Sequence, residues 1–270
     1  MPYRHAHYWL LLLFPLTGLA FWPDYFSKPG GAPLAFHVHG ATASLWIVLL
    51  AIQSWSIHTR RNDLHRSVGY GSFALFPLFT VGGLLVLQTM GEKFGNNFDP
   101  FYRAFGARLG IIDFIATIGI GYLFYMGLKT RRKVHLHARY MLTTVFFLFP
   151  PIIARLLPVL PPFAISGPDD FYRFGYGVLV AHALTIALSV VLYLRAPKHG
   201  RPFLVIAALT GLTSVAFEFV GRTSAWESLF VAFATMPTPV IALIGLVASA
   251  AVTWFGWNAV PARQPSAASA

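Results

Sequence analysis

Eight separate runs of largely apolar residues punctuate this chain of 270 residues, near 8–22, 34–57, 67–91, 105–128, 138–160, 172–194, 202–221 and 237–257. A helix needs about 20 such residues to cross a bilayer's hydrocarbon core. The pattern therefore predicts an all-α fold: a polytopic transmembrane helix bundle of about eight spans, or seven if the first run only dips into the membrane. That first run is short and carries Pro15 and Gly18. It follows Arg4 as the apolar part of a signal peptide would, but Phe21-Trp22-Pro23-Asp24 is a poor cleavage site, so a retained anchor is expected.

Composition points the same way. Charged residues make up 11% of the chain, under half of the roughly 25% usual in soluble domains. Hydrophobic residues reach 56% and mean hydropathy is +0.63. A soluble globule, a disordered chain and a disulfide scaffold are excluded. With no cysteine there is no iron–sulfur cluster, thiolate zinc site or covalently attached c-type haem. A metal would have to be held by His, carboxylate, Met or Tyr.

The net charge of +11 reads as basic cytoplasmic loops and not as a nucleic-acid surface. With an inside N terminus, the inner segments hold Arg4, Arg60, Arg61, Arg66, Lys129, Arg131, Arg132, Lys133, Arg139, Arg195, Lys198, Arg201 and Arg263. Both termini are then cytoplasmic, in a membrane of the bacterial inner type. Residues 1–260 read as one transmembrane domain, and 261–270, Pro-Ala-Arg-Gln-Pro-Ser-Ala-Ala-Ser-Ala, as a disordered tail.

Ionisable groups inside a bilayer are costly, so each is a candidate for function, weighed against a pair that only holds helices together. In the second span His37 and His39 lie about 200° apart around a helix, and His39, Trp46 and Gln53 recur every seven residues, so His39 is the better inward candidate. His65 opens the third span with Gly69 and Ser72 beneath it, a groove for a flat ligand or a close helix contact. His137 enters the fifth. Gly106, Gly110, Asp113, Thr117 and Gly121 share a face of the fourth span, with Arg155 one partner for Asp113. His182, Thr185 and Ser189 stripe the sixth, and Glu218 pairs with Arg222 at i+4. Two layers result: His37 or His39 with His182, Asp113 and Arg155 in the outer half, and His65 with His137 in the inner half.

The pattern Phe36-His37-Val38-His39-Gly40, Trp46, Gln53, His65-Arg66-Ser67-Val68-Gly69 and His137-Ala138-Arg139-Tyr140-Met141 resembles that of a family of uncharacterised bacterial multi-pass membrane proteins, with the order HxHG, W, Q, HRxLG and HxRxM. The likeness covers roughly residues 35–225, with Val68 in place of the family's Leu, and implies no activity. A weaker likeness, in the His-then-Gly spacing, is to the dihaem b-type cytochromes, which hold each haem between two His of different helices. It implies His39, His65, His137 and His182 as haem ligands, with His182 deeper than His39 and His65 almost outside the membrane.

The leading functional expectation is thus haem b binding and electron transfer, with a quinone or another redox partner. An intramembrane zinc-dependent lipid hydrolase using His39, His182 and Asp113 is the first alternative. A proton-coupled small-molecule transporter relaying through Asp113, His182 and Glu218, with helices broken at Pro150-Pro151, Pro161-Pro162, Pro237 and Pro239, is the second. A non-catalytic membrane subunit is the third.

Overall fold

The computed structural model describes residues 3–260; the tail expected to be disordered, 261–270, lies outside them. Among the described residues ten α-helices form the bundle: α1 Ala6–Phe21, α2 Leu34–His58, α3 Asn62–Asn96, α4 Pro100–Lys129, α5 Val134–Thr143, α6 Phe149–Leu156, α7 Phe171–Leu194, α8 Arg201–Val215, α9 Ser224–Ala234 and α10 Thr238–Asn258. No strand occurs among the described residues. Eight stretches are long and apolar enough to cross a membrane: Ala6–Phe26, Leu34–His58, Asn62–Asn96, Pro100–Lys129, Val134–Val159, Pro168–Leu194, Arg201–Val220 and Thr238–Asn258. The first run is among them, which favours eight spans over seven.

Local chemistry sets the turns. Between α3 and α4, Asn97 takes the left-handed conformation (φ 59°), Asp99 accepts from the amides of Phe101 and Tyr102, and Pro100 starts the helix where its missing N–H costs nothing. The turns α2–α3, α4–α5 and α7–α8 share one end of the bundle and carry Arg60, Arg61, Arg131, Arg132, Lys133, Arg195 and Lys198. We call this the basic end, and the opposite one the far end.

Helix α4 is the axis on which the interior is built. Its Leu123, Phe124 and Leu128 pack with α2, α3, α5 and α8. Ala107 faces α3, α9 and α10, and Phe105 faces α6, α7 and Phe217. Large side chains on the outer face of α10, such as Leu243, Val247, Trp254 and Phe255, stay exposed, as a lipid-facing surface requires. Close approach of α3 to α2 depends on Gly82, where an added Cβ would lie 3.1 Å from the His39 Cα.

Two departures from the expected elements matter. The fifth span is not one helix: α5 ends at Thr143, a 3₁₀ stretch covers Thr144–Leu148, and α6 restarts at Phe149. Pro150 and Pro151 remove two backbone donors, so the carbonyls one turn earlier lose their helical partners. The second is α9, an 11-residue helix in the segment expected to connect the last two spans. It is too short to cross, and it docks at the far end. The Trp226 indole donates to the Ala107 carbonyl (2.7 Å), and buried Gln88 donates to the Met236 carbonyl (3.0 Å) just past α9.

The expected Glu218–Arg222 pair forms, but Glu218 also binds Arg108 of α4, whose guanidinium lies 3.9 Å from the centre of the Phe217 ring. Glu218 sits in a π-helical stretch, Ala216–Val220, that ends the eighth-helix span. Glu218→Ala leaves Arg108, with a side chain only 12% exposed, without its carboxylate, and should cost about 2–3 kcal/mol. Arg222→Ala removes a partner that is 55% exposed and should cost about 0.5 kcal/mol or less. Thermal melting in detergent should rank the two in that order; equal losses would show that Arg108 needs no counter-ion.

Candidate functional site

Most of the ionisable residues singled out in the spans line one of two cavities, one toward each end of the bundle; His37 and Glu218 line neither. The basic-end cavity, about 500 Å³, is lined by Gln53, His65, Gly69, Ser72 and His137, with Arg66 and Arg131 among its walls. The far cavity, about 340 Å³, is lined by His39, Trp46, Asp113, Arg155 and His182. Both volumes fall in the range of small-molecule sites. His39 and Gln53 are fourteen residues apart on α2, so the two sites are separated by roughly 21 Å along its axis.

In the basic-end cavity the two imidazoles are held the same way. His65 Nδ1 donates to the backbone carbonyl of Gln53 (3.2 Å), and the Gln53 carboxamide returns a bond to the His65 carbonyl (2.9 Å). His137 Nδ1 donates to the Gly127 carbonyl (2.8 Å). A carbonyl can only accept, so each ring carries its proton on Nδ1 and keeps the Nε2 lone pair free. This is the arrangement that presents an imidazole to a metal. Gly69 keeps the wall thin: a Cβ there would lie 3.5 Å from the Gln53 amide nitrogen.

The far cavity is held differently. Ser214 gives its one proton to the Thr210 carbonyl (3.0 Å), so its oxygen accepts from His182 Nδ1 (2.9 Å). His39 stacks on Phe79, ring centres 5.6 Å apart, and its buried Nδ1 has no partner. His37 turns away and hydrogen-bonds the Tyr25 hydroxyl (2.5 Å). Despite their different positions along their helices, His39 and His182 line one cavity.

Arg155 does not reach Asp113. Its Nε lies 3.8 Å from Asp24, Nη1 donates to the Pro151 carbonyl (3.2 Å), and its guanidinium sits 4.2 Å from the centre of the Phe21 ring. The shared face expected on α4 splits. Asp113 and Thr117 line the cavity, whereas Gly106 and Gly110 make room for Phe94 and Phe230. The unwound Thr144–Leu148 stretch forms part of the same cavity wall.

Between the cavities stands an aromatic partition. Phe76 and Phe124 stack with ring centres 4.2 Å apart, Trp46 packs against both, and its indole donates to the Thr144 hydroxyl (3.0 Å). All three rings are buried.

Three residues were missed in the sequence: Arg108, which pairs with Glu218 outside both cavities, Tyr102 on the far cavity's wall, and Ser214, which accepts from His182. Arg108 carried the clearest signal, an arginine inside an apolar run with Glu218 to pair. Tyr102 and Ser214 had none, because each matters only through a neighbour on another helix.

Among the described residues, no three His, Asp or Glu side chains come close enough to hold a metal ion together; His39, His182 and Asp113 line one cavity without forming such a cluster. The chain matches no family model, and neither the curated proteins nor the solved structures compared with it show a significant match.

Proposed function

We propose that this is a multi-pass membrane protein that binds haem b in its basic-end cavity, between His65 and His137, and uses it for electron transfer. The observation that carries the reading is the pair of imidazoles on different helices, both fixed in the Nδ1–H tautomer by backbone carbonyls and both facing the larger cavity. Gly69 and Ser72 leave space for a flat group, and Arg66 and Arg131 on the cavity wall suit its two carboxylates. Haem supplies one-electron chemistry. The protein's own part is to aim two neutral imidazoles, exclude water with apolar walls and balance charge at the rim. Basic turns at this end favour a cytoplasmic side, in a bacterial-type inner membrane, with both termini on that side.

The far cavity suits a second haem less well. It is smaller, it presents a carboxylate, and His39 lacks the acceptor that would orient a ligand imidazole. One observation favours a second function there. A broken spanning helix lining a cavity is how transporters expose backbone to substrate, and the Thr144–Leu148 segment has that character.

The test is titration of haemin into haem-depleted protein. A saturable site taking one haem per chain supports the reading. Unsaturable partitioning, no greater than that into empty detergent micelles, rejects it.

A further inference from the structure

The one carboxylate of the far cavity has no ion-pair partner among the described residues. The charged side chains lining it are Asp113 and Arg155. Arg155 approaches Asp24 at 3.8 Å, donates to the Pro151 carbonyl and sits over the Phe21 ring, and its Nε makes no hydrogen bond with any described residue. Asp113 makes no side-chain hydrogen bond or ion pair with any described residue; only its backbone carbonyl is used, by Thr117. A carboxylate in an apolar site is stable as an anion only when a cation meets it.

The walls around it are of the kind that attracts cations. Phe79, Trp46, Phe101 and Tyr102 all line the cavity. At its edge the Lys93 ammonium already lies 4.7 Å from the centre of the Tyr102 ring. A second, independent feature points to a ligand: the His39 Nδ1 is buried in the same cavity and has no partner.

We propose that the far cavity is a binding site for a compact lipophilic ammonium ion, with Asp113 as counter-ion and the aromatic side chains as its cage. The ammonium donates to the Asp113 carboxylate, and its apolar body fills the space between Phe79, Trp46 and Phe101. The size class is set by the volume of about 340 Å³, near the lower end for small-molecule sites. The site is separate from the haem cavity and requires neither haem nor transport.

A matched pair of probes isolates the charge: 1-adamantylmethylamine, cationic at neutral pH, and 1-adamantylmethanol, of nearly the same shape and uncharged. Binding is measured by isothermal titration calorimetry on the full-length protein in detergent. The wild type should bind the amine at least ten-fold more tightly than the alcohol. Asp113→Asn should bring the two affinities together, and haem uptake at the other end should be unchanged. Equal affinity for the two probes in the wild type overturns the proposal with no variant needed, as does an amine preference that survives Asp113→Asn.

Discussion

Replacing either His65 or His137 by alanine should abolish stable haem binding, while His39→Ala and His182→Ala should leave it in place. The four substitutions are alike in chemistry and differ only in which cavity they empty. If the two imidazoles hold haem, losing either should lower affinity by well over the 10–100-fold that loss of an outer-shell partner costs. Gln53→Ala is the graded case. The carbonyl that orients His65 belongs to the backbone and survives, and only the returning carboxamide bond is lost. Its haem affinity should drop about ten-fold or less. Haem content after purification, measured as pyridine haemochrome per chain, ranks all five variants. If His39→Ala or His182→Ala loses haem as completely as His65→Ala, the haem site is wrongly placed.

The second large effect is expected at α9, far from either cavity's imidazoles. Phe230 is fully buried, stacks on Trp226 and fills the hollow left by Gly110 of α4. Phe230→Ala deletes that ring from a cluster with Leu84, Leu87, Met90, Ala107 and Ile241, held on three helices, and leaves a cavity there. The expected cost is about 3–5 kcal/mol. Because α9 is short and held by few groups, the loss should be felt first there, as local release before global unfolding. Limited proteolysis should then cut within 222–237 of the variant and spare that segment in the wild type. Cleavage elsewhere, or none, would show that α9 is held mainly by Trp226 and Gln88.

The long apolar helices were legible because hydropathy over some twenty residues is a one-dimensional signal that neighbours cannot overturn. Eight apolar runs became eight candidate spans. What the pattern could not show was structure shorter than a span. Helix α9 is half a span long and moderately apolar, and only the Gly110 hollow and the Gln88 bond give it a place. The break in the fifth span was legible as Pro150-Pro151, but its use as a cavity wall was not.

Site residues followed a similar division. The grouping by depth counted from span ends agrees with the cavities: His65 and His137 line one, His39 and His182 the other. Neighbours along one helix face were harder. Gly106, Gly110, Asp113 and Thr117 stay within about 60° of one another on α4, yet the glycines meet α3 and α9 while Asp113 lines the cavity. The Asp24 partner of Arg155 lies outside any span pattern, in the π-helical turn after α1.

The most direct test of the central claim is the dithionite-reduced minus air-oxidised absorbance spectrum of the protein purified in detergent from haem-replete cells. Sharp α and Soret bands of the b type, from low-spin iron with two imidazole ligands, are the predicted result, and they should vanish together in His137→Ala. A featureless difference spectrum from the same haem-replete preparation would contradict the account.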